Sequence, residues 1–233
     1  MKQILITAHS GCEGTQENSL TSIEKGIVLG ADCVEIDIRS DAEGRLWLTH
    51  DLPESVSGLV SLEEAFSLIQ KSGISVNCDL KEYGALLPAL ALAEQCGIGP
   101  RQLIFSGSVD MALLDRMPEI AERSRIFLNS EVLVRDLSGE QMKDRDEQTA
   151  YLMHHAEDAA ARLHALHVQA LNAPYEHMPD ELIDALRKRD VALSLWTLST
   201  EEPLRQFMTK DLLNITTRSV SLALSVRREA GRD

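Results

Sequence analysis

A chain of 233 residues, of which 44% are apolar and 26% charged, is long enough to form one α/β barrel or two small domains. Its net charge of −14 argues against nonspecific binding to nucleic acid, because a phosphate backbone would be repelled. The four cysteines form no CxxC pair, which is typical of free thiols. The sequence contains neither a secretory h-region nor a long apolar stretch. We therefore expect a cytoplasmic protein without a membrane span.

Strand and helix patterns alternate along the whole chain. Short apolar runs predict strands at 4–8, 33–39, 45–49, 74–80, 102–106, 125–129, 166–171, 191–197 and 212–216. Apolar residues three and four apart predict helices at 19–30, 61–72, 85–96, 109–117, 179–189, 201–209 and 219–230, and residues 138–163 form a long polar stretch. Eight strand–helix units and one small extra strand favour a TIM (β/α)8 barrel. No linker rich in Gly, Pro or Ser interrupts them, so we predict a single domain over 1–233.

The second predicted strand carries two acidic residues on one face. Val34, Ile36 and Ile38 alternate with Glu35 and Asp37, which places the two carboxylates about 6.6 Å apart along the strand. If the two carboxylates are buried together, they repel each other unless a proton or a cation lies between them. The cation that carboxylates usually bind is a hard one such as Mg²⁺ or Ca²⁺. The alternative is an edge strand whose polar face meets solvent.

Further polar residues follow other predicted strands, where a TIM barrel carries its active site. His9 ends the first strand and His50 ends the small extra strand, while Asp79 and Lys81 share one face of the next strand. Three carboxylates suit one divalent cation, and two imidazoles suit an acid and a base near neutral pH. A lysine can pair with an anionic substrate group. Together these residues indicate phosphoryl-transfer or phosphodiester chemistry. Trp196, in the seventh barrel strand, is predicted to form a wall of the substrate pocket.

Motifs along most of the chain resemble the glycerophosphodiester phosphodiesterase family. They are His9-Ser10-Gly11, Gln16-Glu17-Asn18, residues 30–37 (GADCVEID), Gly44, His50-Asp51, Asp79-Leu80-Lys81, Leu195-Trp196-Thr197 and residues 213–217 (LNITT). The resemblance implies a TIM barrel, one divalent cation, and hydrolysis of a small-molecule glycerophosphodiester to an alcohol and glycerol 3-phosphate. The implied roles are an acid–base pair of His9 and His50, a metal site of Glu35, Asp37 and Asp79, and a phosphate contact by Lys81.

The chain departs from the family pattern in ways that bear on the substrate. Ser10, which we place at the substrate site, stands where the family usually has an arginine that grips phosphate, and a serine cannot supply that charge. The segment between Asp51 and the next predicted helix is short, whereas relatives usually carry a small inserted subdomain there. These departures leave two alternatives: a phosphodiester-binding protein that has lost turnover, or a sphingomyelinase D-like phospholipase. Asn18 is expected to cap the helix that follows it.

Overall fold

The computed structural model describes residues 3–232, and eight parallel strands form a closed barrel at its centre. Met1, Lys2 and Asp233, which the predicted domain included, lie outside the described residues. The strands are β1 (Leu5–Ala8), β2 (Cys33–Ser40), β3 (Leu46–Leu48), β4 (Ser75–Leu80), β5 (Leu103–Gly107), β6 (Arg125–Asn129), β7 (Ala170–Pro174), β8 (Leu193–Trp196) and β9 (Asn214–Thr217). All except β3 belong to the barrel, which closes because β1 pairs in parallel with both β9 and β2. The predicted TIM barrel is confirmed.

Helices surround the barrel and turn their apolar faces toward it. They are α1 (Leu20–Leu29), α2 (Leu62–Ser72), α3 (Leu86–Gln95), α4 (Met111–Arg116), α5 (Ile120–Arg123), α6 (Ser130–Ser138), α7 (Arg145–His154), α8 (Ala156–Ala165), α9 (Asp180–Arg187), α10 (Glu201–Met208) and α11 (Val220–Glu229). A capping box of Ser61 and Glu64 starts α2, as the sequence predicts. Gly26 lets α1 pack closely on the sheet, because a Cβ there would lie only 2.9 Å from side-chain atoms of Ala8 and Val34. No helix among residues 3–232 is long and apolar enough to cross a membrane.

The strand β2 is the longest of the barrel and has two partners on one of its edges. β1 pairs with its first residues, and the antiparallel β3 pairs with its last residues, from Ile38 to Ser40. The opposite edge pairs with β4. Because both edges are covered and Glu35 and Asp37 are only 6% and 3% exposed, the interpretation of β2 as an edge strand with a solvated face is wrong.

One layer of the barrel interior, closer to the amino ends of the strands than the acidic residues of β2 and β4, is apolar. Cys33, Ile104, Phe127 and Ala170 form a buried cluster that we call the basal plug. These residues come from β2, β5, β6 and β7, and each is at most 2% exposed. The plug fills the barrel interior at this level with packed side chains, as is usual for a barrel of eight parallel strands.

Two predictions about the middle of the chain are corrected. The predicted strand 166–171 is displaced, because the Val168 amide donates to the Leu163 carbonyl oxygen at 3.0 Å and His167 adopts a left-handed φ of 53°. These residues therefore end α8, and β7 begins at Ala170. The polar stretch 138–163 contains most of two helices, α7 and α8, and α6 directly follows β6.

Candidate active site

A cavity of about 300 Å³ lies at the carboxyl ends of the strands. The predicted residues that line it are His9, Glu35, Asp37, His50, Asp79, Lys81 and Trp196. Ser10 lies outside this lining and is only 2% exposed. The barrel therefore brings together the side chains to which the sequence assigns acid–base, cation-binding and phosphate-binding roles.

Glu35, Asp37 and Asp79 form a compact acidic cluster. One carboxylate oxygen from each lies within 4.8 Å of the other two. The parallel pairing of β2 with β4 accounts for this closeness, since it sets Asp37 directly opposite Asp79. The ammonium of Lys81 lies between the two aspartates, with Nζ 2.7 Å from Asp37 Oδ1 and 2.6 Å from Asp79 Oδ2.

The electrostatics of the acidic cluster follow from its burial. Burial, reinforced by the neighbouring charge of Asp37, raises the pKa of Glu35 well above its usual value. Burial also acts to raise the pKa of Asp37, but the Lys81 ammonium outweighs it and the pKa is lowered. At Asp79 burial prevails over Lys81, so this pKa is raised. Burial acts to lower the pKa of Lys81, but the two aspartates raise it, so the lysine stays charged.

The donor set of the cluster fits a divalent hard cation. Three carboxylates and one ammonium leave an excess of two negative charges, which one divalent cation neutralises. Asn77, paired with Glu35 across β2 and β4, also lines the cavity, and its buried Oδ1 has no hydrogen-bond partner among the described residues. Carboxylate and amide oxygens are the ligands that Mg²⁺ and Ca²⁺ prefer. The unpaired amide oxygen is thus a further donor of the right kind beside the cluster.

The loop after β1 holds the carboxylates of β2 in place through hydrogen bonds. The Ser10 amide donates to Glu35 Oε2 at 2.9 Å, and the Ser10 hydroxyl accepts from the Asn18 amide at 2.5 Å. The Asn18 side chain donates to Asp37 Oδ2 at 2.8 Å and accepts from the Asp37 amide at 3.0 Å. These hydrogen bonds give Ser10 a role in positioning Glu35 and Asn18 next to the cavity. Direct contact between Ser10 and substrate stays a prediction.

The prediction that Asn18 caps the following helix is wrong. Ser19 is the cap of α1, and its hydroxyl accepts from the Ser22 amide at 3.1 Å. Asn18 adopts a left-handed φ of 54°, and its side-chain amide is hydrogen-bonded to the Asp37 carboxylate.

The two histidines are held differently. His9 Nδ1 lies 2.8 Å from the Ser10 carbonyl oxygen, so Nδ1 carries the proton and Nε2 keeps its lone pair. Burial lowers the pKa of His9, which favours the neutral ring. His50 is exposed, and its Nδ1 lies 2.8 Å from the Asp51 carboxylate. Arg39 donates to the His50 carbonyl oxygen at 2.8 Å and so anchors the end of the β3 segment beside β2.

The opposite wall of the barrel carries a series of hydrogen bonds between polar side chains, all of which are buried except the last, Glu131. Each member donates to the next, at distances from 2.7 to 3.1 Å. In order, this interior hydrogen-bond chain comprises Thr7, Asn214, Ser194, Asn172, Asn129 and Glu131. Trp196 lies above it, and its buried indole nitrogen has no partner among the described residues. A donor without a partner on the cavity wall is suited to an oxygen atom of a ligand.

Sequence reasoning missed several lining residues. Asn77, Asn172 and Arg218 line the cavity, although no role was assigned to them. Asn77 could have been found, because it lies two residues before Asp79 in the same strand and therefore shares its face. Asn172 fell beyond the misplaced strand 166–171, and Arg218 lies just after the end of β9.

The barrel places two histidines, a lysine and an acidic cluster at the carboxyl ends of its strands, which is where (β/α)8 enzymes carry their active sites. The sequence model of the glycerophosphoryl diester phosphodiesterase family matches residues 8–147. The chain belongs to this family and is a phosphoric diester hydrolase. No curated protein sequence matches it significantly.

Solved structures show the same fold at low sequence identity. A glycerophosphodiester phosphodiesterase from Thermotoga maritima is 20% identical with a TM-score of 0.71, and the match covers 97% of this chain and 100% of that one. One from Parabacteroides distasonis is 16% identical with a TM-score of 0.72, covering 99% and 98% of the two chains. A phosphodiesterase from Oleispira antarctica, solved with the product sn-glycerol-3-phosphate, is 16% identical with a TM-score of 0.70 and 96% coverage of both chains.

Proposed function

We propose that the protein hydrolyses a glycerophosphodiester to an alcohol and glycerol 3-phosphate, with one divalent cation, Mg²⁺ or Ca²⁺, held by Glu35, Asp37 and Asp79. The observation that carries the proposal is the convergence of this acidic cluster with two histidines and Lys81 on one cavity. The Oleispira phosphodiesterase that shares the fold binds sn-glycerol-3-phosphate, which supports this product class. When bound, the cation supplies positive charge to an oxygen of the phosphate group.

His9 suits the role of general base. Its Nδ1 proton is hydrogen-bonded to the Ser10 carbonyl oxygen, so the Nε2 lone pair can take a proton from the water whose oxygen forms the new bond to phosphorus. The lowered pKa, which burial causes, keeps the ring neutral near pH 7. Glu35, 3.8 Å from Nδ1, stabilises the ring once it has accepted the proton.

His50 suits the role of general acid. The Asp51 carboxylate accepts a hydrogen bond from Nδ1, which orients the ring so that Nε2 is left to deliver a proton to the departing alcohol oxygen. Because His50 is exposed, water can exchange its proton after each turnover. Lys81 contacts the carboxylates of Asp37 and Asp79 and faces the same cavity, where it can also contact a phosphate oxygen.

The test is hydrolysis of glycerophosphocholine in Mg²⁺ or Ca²⁺, with and without a chelator. We expect choline release that the chelator abolishes and that His9→Ala lowers by about 10²–10⁴-fold, the usual contribution of a general base. The melting temperature of His9→Ala shows whether the variant stays folded. Choline release that is indifferent to both chelator and His9→Ala would contradict the proposal.

The same assay separates the two alternatives. A protein that binds glycerophosphocholine but releases no choline is a phosphodiester-binding protein without turnover. Cleavage of lysophosphatidylcholine or sphingomyelin in place of glycerophosphocholine would favour a phospholipase related to sphingomyelinase D.

A further inference from the structure

The side chains that line the cavity carry more negative than positive charge, so a negatively charged substrate needs an additional cation to bind there. Besides the two histidines, the described residues that line the cavity include five carboxylates and two permanently charged cations, Lys81 and Arg218. Lys81 already contacts two carboxylates. One divalent cation would bring the acidic cluster with Lys81 to neutrality but would leave no surplus for a phosphodiester anion. Arg218 is the remaining cation on the cavity wall.

Arg218 is placed so that its backbone is fixed while its side chain stays accessible. The Arg218 amide donates to Ser199 Oγ at 3.0 Å, and its carbonyl oxygen accepts from the Glu13 amide at 2.8 Å. The guanidinium, which follows the end of β9, is 44% exposed. A planar guanidinium can donate two parallel hydrogen bonds to phosphate oxygens.

A carboxylate holds this guanidinium within the structure. Arg218 donates to Glu17 Oε1 at 2.6 Å, and the Glu17 side chain is 51% exposed. Gly11, with a φ of +78°, makes room for the pair, because a Cβ there would lie 2.8 Å from Glu17 Cγ and 3.4 Å from the Arg218 guanidinium. Ion pairs with this degree of exposure contribute little to stability, so exchanging the partner costs little.

We infer that Arg218 binds the phosphate of the substrate, and that the substrate takes the place of Glu17 as its partner. The inference rests on the proposed function, because it names the residue that recognises the phosphate at the same site. Ser10 cannot supply this charge, and its hydroxyl is already bonded to the Asn18 amide. Arg218 thus provides, from the end of β9, the guanidinium that the loop after β1 lacks.

Two substitutions of opposite expected effect test the inference. Binding of sn-glycerol 3-phosphate and of inorganic phosphate is measured by calorimetry with the full chain and Mg²⁺. Arg218→Gln is expected to weaken binding by about 10- to 100-fold, the range for hydrogen bonds to a charged group. Glu17→Gln is expected to tighten binding about two- to fivefold, because a competing carboxylate is removed. In the Arg218→Gln background, Glu17→Gln should have no effect.

The controls separate a local role from a general change of charge. Arg205→Gln removes a comparable arginine, 49% exposed and paired with Glu201 and Glu229, and should leave phosphate binding unchanged. Arg218→Lys keeps the charge but loses the planar fork, so its affinity should fall between those of wild type and Arg218→Gln. Melting temperatures show that each variant is folded.

Several outcomes would overturn the inference. They are wild-type affinity in Arg218→Gln, weaker binding in Glu17→Gln, and no binding of either anion by the wild type. The binding experiment and the hydrolysis assay test different claims, so either can fail without the other. Phosphate binding that depends on Arg218 without choline release defeats only the proposed function, whereas choline release with binding indifferent to Arg218 defeats only this inference.

Discussion

The two ends of the barrel interior are built from opposite chemistry by the same strands. β2 places Cys33 in the basal plug and Glu35 in the acidic cluster, only two residues further along the same face. β6 does the same with Phe127 below and Asn129 above. Because inward-facing positions recur every two residues, a single step along a strand separates a residue that stabilises the fold from one that faces the cavity.

Removing the largest side chain of the basal plug should destabilise the protein without affecting the cavity at the other end of the barrel. Phe127→Ala should lower the free energy of unfolding by about 3–5 kcal/mol, because a cavity replaces a fully buried ring. The folded fraction should keep wild-type kcat/KM for glycerophosphocholine. Urea unfolding and assays well below the melting temperature measure the two quantities. Phe127→Leu should show the same pattern with a smaller loss of stability. A tenfold loss of kcat/KM in folded protein would show that the two ends are not independent.

A change in the acidic cluster should have the reverse effect on stability. Glu35→Gln removes a buried charge while keeping an oxygen that can accept from the Ser10 amide. In a chelator at neutral pH we expect a gain of about 1 kcal/mol, which is a rise of about 2–4 °C in melting temperature for a chain of this size. Burial raises the pKa of Glu35 above 4.5, so wild type is penalised only as pH rises above that value. The difference between variant and wild type should therefore grow from pH 4.5 toward neutral pH.

The control for Glu35→Gln is another carboxylate of the same cavity. Glu131→Gln removes a side chain already paired with Arg145 at 3.0 Å, so it should not stabilise the protein. Added Mg²⁺ or Ca²⁺ should raise the melting temperature of wild type and Glu131→Gln more than that of Glu35→Gln. A lower melting temperature for Glu35→Gln than for wild type in chelator would contradict the expectation that the buried charge of Glu35 destabilises the metal-free protein.

The smallest effect is expected outside both regions, in the turn between β2 and β3. Trp47 and Arg45 donate to the Asp41 carboxylate at 2.9 and 2.8 Å. These hydrogen bonds lower its pKa to about 2 despite an opposing effect of burial. A lowered pKa contributes stability above pH 3.8, the ordinary value, and this contribution is lost as pH falls toward 2. Asp41→Asn should therefore lower the urea midpoint at pH 7, with a difference that shrinks below pH 4. Equal differences at pH 7 and pH 3 would speak against this origin, and hydrolysis should be unaffected at either pH.

The barrel was predictable from the sequence because its strand–helix alternation is regular. Contacts that form only when β1 pairs with β9 and closes the barrel were not predictable. Glu35, Asp37 and Asp79 were identifiable since each has a partner two residues away on the same face. The opposite wall was less visible: Asn172 lay outside its predicted strand, and a lone Asn in a strand has no distinctive local pattern. Arg218 and Glu17 are 201 residues apart in sequence, so only the closing pair of β1 with β9 brings them together.

The interior hydrogen-bond chain has a direction, because every member donates to the one that follows it. It begins at the Thr7 hydroxyl and terminates at the Glu131 carboxylate. The aligned bond dipoles therefore point their positive ends toward Glu131 and polarise one another. Five of the eight barrel strands thus carry an oriented series of dipoles, whose common direction would be interrupted if a single side-chain amide were inverted.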